Sequence, residues 1–281
     1  MPDTDPTTWP DGHRAAVMFT FDLDAEEAWR VKKENDPEYD RPLLQRRGRY
    51  GATTAVPRIL DLFEEHDLRC TFFIPGKVME AYPDLSRRVA DAGHEVAHHG
   101  YTHRPPSQLT PEEQRTEIER GLEVFDEVLG TRPVGYRSPL NEFSEHTVDL
   151  LTEHGFEYDS SLIDADLPYL HDGGDGPLVE IPNELSLEDW PYFGFNYDPP
   201  THYSGGIAPI GDVLETWYRE FQGVYHYGRY FLLTLHPQLI GRPGRMRMLD
   251  ELISRIESTD DTWIATGEEI VEHWLTHHAG D

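Results

Sequence analysis

The stretch AAVMFTFDLD, residues 15–24, decides the fold. Its apolar run predicts a β-strand, and two acidic residues, Asp22 and Asp24, stand at the end of that strand. A helix-like segment follows at about residues 53–66, and a second strand, CTFFIP, follows at 70–75. This alternation predicts parallel strands that are connected by helices.

The same alternation continues along the rest of the chain. Further strands are predicted at HEVAHH (94–99), VGYR (134–137), LVEIP (178–182), YFLLTLH (230–236) and WIA (263–265), and further helices at 82–92, 110–129, 144–154, 212–225, 245–258 and 267–277. This number of strands favours an α/β barrel, and we predict a single domain over residues 1–281 with its core at about 14–275. No G-x-G-x-x-G segment opens the first helix, which argues against a dinucleotide-binding fold.

Two long connections interrupt the alternation, a charged one at 26–50 and one at 167–209 that is rich in proline, glycine and aromatic residues. Loops of that length usually carry function. The aromatic segment from Trp190 to Tyr203 would form a wall on which sugar rings stack. Packing of the loop on itself, or a contact between subunits, is the alternative.

The charge of the chain excludes several classes of partner. With 24 Lys+Arg against 53 Asp+Glu, the formal net charge of the 281 residues is −29. Binding to nucleic acid or to an anionic membrane draws its affinity from basic residues, so neither is expected here. Almost all the basic residues are arginines, as in proteins of salt-accumulating halophiles, and we expect stability to rise in molar KCl. An ordinary acidic cytosolic protein is the alternative.

Cysteine content and hydropathy predict a cytoplasmic protein. The single cysteine, Cys70, lies in an apolar run, which is typical of a buried thiol, and it has no partner for an intramolecular disulfide. The N-terminal segment MPDTDPTTWPDG lacks the pattern of a signal peptide, and no apolar run approaches the roughly 20 residues of a membrane helix.

Three pairs of histidines have a spacing of four residues. His94 and His98 lie within one strand, about 13 Å apart, which is too far for one metal ion. The pair at 273 and 277 lies on a helix, but no strand-end carboxylate stands beside it. His99 and His103 follow a strand end, where Gly100 lets the backbone turn. Together with Asp24 they are candidate ligands for a catalytic metal site of the zinc or non-haem iron type, and residues without a metal are the alternative.

Three more polar residues at strand ends complete the candidate site. Asp22 lies on the same face of its strand as Asp24, about 6.6 Å away, so a metal on Asp24 would leave Asp22 free as a base. Two solvated acids at a strand end are the alternative. Arg137 would pair with a buried Asp, or would lie on the surface. His236, taken alone, is typical of a structural histidine.

The order of these segments resembles that of the polysaccharide deacetylase family, the NodB-homology or carbohydrate esterase 4 group. The matching motifs are TFDLD (20–24), HGYTH (99–103), YRSP (136–139) and LTLH (233–236), and Asp189-Trp190 is the candidate for the Asp-Trp pair that supports the catalytic histidine. The resemblance covers about residues 15–274. Two departures are an inserted residue between the two acids and Gly100 in place of Ser or Thr.

The segments GYRSP, YDSSL and HPQLIGRPGR resemble one branch of that family. The branch includes a bacterial peptidoglycan deacetylase and metal-independent ureide hydrolases of the allantoinase type. The resemblance implies a distorted, partly open (β/α)7 barrel of the TIM type, and an enzyme that forms homo-oligomers, often tetramers.

The resemblance also implies a role for each site residue. Asp24, His99 and His103 would hold a divalent metal, Zn²⁺, which activates water and the substrate carbonyl. Asp22 would act as general base, and His236 would protonate the leaving nitrogen. Arg137 would orient Asp22.

The implied reaction is the hydrolysis of a non-peptide C–N bond, such as the N-acetyl group of an amino sugar. The substrate would be a small molecule or an oligosaccharide. Two alternatives remain, a metal-independent hydrolase of a small cyclic ureide or imide, and a non-catalytic carbohydrate-binding barrel.

Overall fold

The structure, a computed structural model, describes residues 9–30, 42–174, 176–194 and 207–278. Parts of both long connections, 31–41 and 195–206, lie outside the described residues, and with them most of the aromatic segment. The strands are β1 (Ala15–Asp22), β2 (Thr71–Ile74), β3 (Glu95–His98), β4 (Gly135–Tyr136), β5 (Tyr158–Asp159), β6 (Tyr169–Leu170), β7 (Val179–Glu180), β8 (Tyr230–Leu235) and β9 (Thr262–Ile264). The helices are α1 (Pro42–Tyr50), α2 (Val56–Glu65), α3 (Gly76–Ala81), α4 (Pro83–Asp91), α5 (Pro111–Leu129), α6 (Thr147–Glu153), α7 (Trp190–Phe193), α8 (Ile210–Tyr227), α9 (Pro237–Ile240), α10 (Pro243–Glu257) and α11 (Gly267–His278).

The strands form one curled sheet in the order β6-β7-β5-β4-β3-β2-β1-β8, and β9 also pairs with β1. All neighbouring strands are parallel except β6 and β7, which form an antiparallel pair. Helices cover the outside of the curl. The predicted α/β fold, a distorted and partly open (β/α)7 barrel, is confirmed. Parallel strands place all their carboxyl ends at one mouth of the barrel.

Alternation along each strand separates an inner face from an outer face. On β1, Ala16 and Met18 point into the barrel, where they pack with Phe73 of β2 and Leu232 of β8. The residues between them, such as Phe19, pack outward against the helices. Because side chains alternate with a period of two, Asp22 falls on the inner face at the mouth.

The helix boundaries follow local signals. Thr110 caps α5 in a reciprocal pair of hydrogen bonds with Glu113, and Gly130 ends that helix in the left-handed conformation. The predicted helix at 82–92 is present as α4, within one residue at each end. The short helix α3 before it was not predicted, and Tyr82, which leaves the helical conformation ahead of Pro83, separates the two. Within the described ranges, the structure contains no helix with the length and apolar character needed to span a membrane.

Candidate active site

The six residues selected from the sequence meet at the mouth of the barrel. All are buried, and the strands β1, β3, β4 and β8 bring them there: Asp22, Asp24, His99, His103, Arg137 and His236. Their separations along the chain are large, so the curl of the sheet creates the site. The roles assigned to them stay predictions, whereas their proximity is a property of the structure.

Asp24, His99 and His103 form a compact triad. The Oδ1 atom of Asp24 lies 3.6 Å from Nε2 of His99 and 3.4 Å from Nε2 of His103. One ligand atom from each residue lies within 4.8 Å of the other two. The two imidazole rings pack edge to face, with centroids 5.0 Å apart.

A hydrogen bond fixes the tautomer of His99. Its Nδ1 lies 2.7 Å from the carbonyl oxygen of Arg137, which can only accept, so Nδ1 carries the proton and donates. The lone pair of Nε2 therefore faces Asp24. Burial lowers the pKa of His99 to about 4, so the ring is neutral at physiological pH. A neutral imidazole held by a carbonyl is the state in which histidine binds metals.

Asp24 shows that a cation fits this triad. Its Oδ1 atom is buried and, in the part of the chain that the structure describes, receives no hydrogen bond, although it faces the lone pair of His99. Burial, opposed by His236, raises the pKa of Asp24 to about 8. The Oδ1 atom without a donor and the raised pKa of Asp24 both indicate that the triad lacks a positive charge, which a divalent ion would supply. Two imidazoles and one carboxylate suit zinc, with room for substrate or water in the remaining positions.

Unusual backbone conformations shape the loops of the triad. Gly100 has φ +71°, and the turn that the sequence predicts there is present. His103 and Ala25 also have positive φ, at 60° and 47°, although neither is glycine. Helix α1 packs directly on the carbonyl of Ala25 at Gly48. A side chain at position 48 would collide with that carbonyl, so only glycine allows this contact. Strain of this kind is held in place by the surrounding packing and concentrates at functional sites.

Asp22 pairs with Arg137 beside the triad. The guanidinium Nη1 donates to Asp22 Oδ1 over 2.7 Å. Asp22 Oδ2 lies 4.0 Å from Nε2 of His99. Burial acts to raise the pKa of Asp22, but Arg137, His99 and His236 together outweigh it, and the pKa falls below its ordinary value. Asp22 is thus a carboxylate at neutral pH, in reach of a water at the triad.

Arg137 itself is completely buried and every edge of its guanidinium is occupied. It donates to the carbonyl and the hydroxyl of Ser160 and to the hydroxyl of Thr20, each over 2.9 Å. Its flat face lies 4.0 Å above the ring of Phe73. The predicted pairing of Arg137 with a buried aspartate is present, and the surface alternative is wrong.

His236 lies on the other side of the triad, held by Asp189 and Trp190. Asp189 accepts a hydrogen bond from Nδ1 over 2.8 Å, and the ring of Trp190 packs edge to face on the imidazole. Nε2 of His236 points at the site and lies 3.8 Å from Oδ2 of Asp24. Burial would lower the pKa of His236, but Asp189 and Asp24 raise it to about 10. The ring is therefore an imidazolium at neutral pH.

Glu188 is a site residue that the sequence analysis missed. It forms a bridge to Thr234 of β8, and its Oε1 lies 4.0 Å from Nε2 of His236. Burial, together with the nearby Asp189, raises the pKa of Glu188 to about 7. The available signal in the sequence was its position next to the Asp189-Trp190 pair; the bridge to β8 places Glu188 and Asp189 together at the mouth.

The other histidine pairs lie elsewhere. His94 accepts a hydrogen bond from the backbone of Cys70 below the outer face of the sheet, and His98 packs on the same outer side. His273 and His277 stack on α11, with ring centroids 4.2 Å apart. The prediction that neither pair belongs to the Asp24 site agrees with these positions.

Comparison with known proteins places these residues in a family. The profile for polysaccharide deacetylase matches residues 47–158. The peptidoglycan deacetylase of Helicobacter pylori is 30% identical over 285 aligned positions, which cover 92% of this chain and 96% of that protein. A peptidoglycan deacetylase-like protein of Gibberella zeae is 27% identical and covers 87% of this chain and 83% of its own.

Solved structures agree with this result. A Mycobacterium smegmatis protein assigned to the polysaccharide deacetylases is 41% identical, with a TM-score of 0.89 over 95% of this chain and 92% of that chain. The Puue allantoinase superposes with a TM-score of 0.87 over all of this chain and 96% of its own, at 24% identity. At that identity the allantoinase shares the fold, and nothing about its substrate transfers.

Proposed function

Because the chain belongs to the polysaccharide deacetylase family, we propose that it removes the acetyl group from an acetylated amino sugar with the help of a divalent metal. The chain is a hydrolase of carbon–nitrogen bonds other than peptide bonds. The choice of an N-acetyl group, of zinc and of the residue roles is our proposal. We further propose that residues 14–275 form one catalytic domain.

Asp24, His99 and His103 would hold the zinc ion, which when bound polarises the substrate carbonyl and acidifies water. Asp22 takes the proton from the attacking water. It can do so because Arg137 keeps it ionised and points one of its oxygens away from the triad, so that the other faces the reaction.

His236 supplies the proton that the leaving nitrogen needs. An amine leaves poorly as an anion, so a donor must stand on the side of the scissile bond opposite the base. Asp189 keeps Nδ1 of His236 occupied, and this leaves the Nε2 proton for the substrate. Glu188 faces the same Nε2 and adds to the negative field that keeps the ring protonated.

One observation carries this proposal. Two titratable groups flank the triad, and their surroundings move their pKa values in opposite directions, downward at Asp22 and upward at His236. Such a pair provides a base and an acid in the same pH range. A carbohydrate-binding barrel has no use for either group.

The direct test measures acetate release from N-acetylglucosamine oligomers by the zinc-loaded protein. We expect release that a chelator abolishes and zinc restores. The matched variants are Asp24→Asn, which should lose release, and Asp61→Asn, a surface change that should keep it. A zinc-loaded protein that releases no acetate, yet opens a small cyclic ureide, would show that the substrate is wrong. Release that persists after complete removal of metal would contradict the metal-assisted reaction.

A further inference from the structure

A second group of metal-ligating side chains lies outside the barrel. Asp159 and Glu180 are direct partners in the parallel pairing of β5 with β7, and both are completely buried. His171 follows β6, which runs antiparallel to β7, and its side chain is 7% exposed. We call these three residues the hairpin cluster. They lie on the outer face, since Tyr158, the neighbour of Asp159, fills the inside of the barrel.

Each carboxyl group of the hairpin cluster has one oxygen fixed by the chain. The hydroxyl of Ser161 donates to Oδ1 of Asp159 over 2.6 Å. The backbone N–H groups of Ser161 and Leu162 donate to Oε1 of Glu180 over 2.9 and 2.8 Å. These bonds turn the remaining oxygens, Oδ2 of Asp159 and Oε2 of Glu180, toward each other and toward His171.

The remaining atoms have the arrangement of a ligand set. Oε2 of Glu180 lies 2.9 Å from Nε2 of His171. Oδ2 of Asp159 is buried, and among the described residues no N–H or O–H group donates to it. One ligand atom from each of the three residues lies within 4.8 Å of the other two.

The hairpin cluster also lacks a positive charge. Two carboxyl groups stand together in the interior, and within the described ranges no arginine or lysine forms an ion pair with either of them. Burial, followed by the charge of Glu180, raises the pKa of Asp159 well above its ordinary value. Two buried carboxylates whose oxygens lie within 4.8 Å of each other need a proton or a cation between them.

We propose that Asp159, His171 and Glu180 bind a divalent cation, with zinc as the best fit to two carboxylate oxygens and one imidazole nitrogen. Mixed oxygen and nitrogen ligands favour zinc and its neighbours over calcium and magnesium, which prefer oxygen alone. The edge formed by His171 opens to solvent near the exposed Asp164 and Asp172, so the ion has a negatively charged route of entry.

This second ion would support the barrel and take no part in the chemistry. The structure provides no base or acid beside it within the described residues comparable to Asp22 and His236. It would tie β6 and β7 to β5. The residues that follow β5 form hydrogen bonds with active-site residues. Ser160 accepts from Arg137, and Ser161 accepts from the backbone of Ser138. Binding at the hairpin cluster would thus stiffen the wall on which Arg137 rests.

The test counts zinc per chain by mass spectrometry after loading and dialysis. The variant His99→Ala removes the site at the mouth. In that background we expect one zinc per chain, and the double variant His99→Ala/His171→Gln should hold none. The matched control, His99→Ala/His154→Gln, changes a histidine that faces one carboxylate, that of Glu119, and should keep the single zinc.

A second measurement needs no change in the hairpin. His171 has the most exposed side chain of the hairpin cluster, at 7%, so diethyl pyrocarbonate should modify it slowly in the His99→Ala protein, and zinc should slow that modification at least tenfold further. No zinc in the His99→Ala protein, an equal amount in all three variants, or no protection of His171 would overturn the proposal. Loss of zinc from the mouth alone leaves this result unchanged, so the two metal proposals fail separately.

Discussion

The inner and outer faces of β3 each carry a histidine near the end of the strand, and the two rings meet opposite surroundings. His98, on the outer face, lies between sheet and helices, stacked on Phe125 and Tyr136. Its Nε2 bonds the carbonyl of Ile118 over 3.2 Å. Burial lowers its pKa to about 3, so it is a neutral part of the core.

His99 is equally buried but faces the mouth of the barrel. Its neighbours are the carboxylates of Asp22 and Asp24 and the ring of His103. The difference arises only from the parity of the strand, since consecutive side chains point to opposite faces. The spacing of a histidine pair therefore says less about metal binding than the face on which its members lie.

The largest effect should separate these two rings. His99→Ala removes a ligand, and we expect loss of the metal at the mouth and of all measurable deacetylation. His98→Asn keeps a hydrogen-bonding side chain on the outer face, so metal and activity should remain while stability falls by about 1–3 kcal/mol. Zinc content, acetate release and a denaturant titration check both. A His98 variant that loses zinc with its fold intact would break the comparison.

The next largest effect is a change in kcat that should distinguish the two ends of the barrel interior. Asp22→Asn should keep the metal, still accept from Arg137, and lower kcat by about 10²–10⁴-fold, the usual contribution of a general base. Glu95→Gln changes a half-buried acid at the opposite end of β3, where it accepts hydrogen bonds from Tyr158 and Thr71. Its kcat should stay within about twofold, since that end of a barrel serves stability. An active Asp22→Asn enzyme would remove Asp22 from the role of base.

The outer face is tested by Gly121, which lies in α5 against His98. A Cβ on Gly121 would collide with Nε2 of His98. We expect Gly121→Ala to cost about 1–3 kcal/mol of unfolding free energy and to leave zinc binding intact. Gly223→Ala, in α8, adds a Cβ with open space around it and should stabilise by about 0.5–1 kcal/mol. Equal effects of the two changes in thermal melts would contradict the tight contact.

The smallest effect is a pH dependence of folding stability that arises from His94 on the outer face of the sheet. Burial, aided by Arg69, lowers the pKa of His94 to about 4. The unfolded chain takes up this proton near pH 6.5 and the folded one only near pH 4, so folding loses stability as the pH falls through that window. His94→Gln should reduce this acid loss, by on the order of 1 kcal/mol after allowance for solvent screening.

His66 provides the control of opposite sign. Burial opposes protonation, but hydrogen bonds to Asp250 and Glu257 raise the pKa of His66. Its contribution is therefore complete below pH 6.5 and disappears as the pH rises above the raised value. His66→Gln should lower the melting temperature more at pH 6 than at pH 8. Parallel pH profiles for the two variants would refute this assignment.

The fold and most residues of the candidate active site were predictable from the sequence, because short local patterns mark them. Apolar runs mark the strands, and the acids and histidines at their ends follow directly in sequence. The beginning of α4 also has a local signal, since the residue before a proline avoids the helical region. The hairpin cluster was not predictable. It depends on the register that pairs Asp159 with Glu180, and two-residue strands such as β5 and β7 leave no periodic pattern.

The hydrogen bond from Thr20 to Thr234 joins positions 214 apart in the chain, and it has a consequence for biosynthesis. Strand β1 leaves the ribosome first, but its neighbours β8 and β9 are made last. A nascent chain must carry the apolar strand β1 with one edge unpaired until β8 has been translated. Asp22 and His236 come together only after β8 has paired with β1, so the proposed base and acid assemble late in synthesis. Folding dominated by such distant pairings is slow, and the edge of β1 is where premature association would begin.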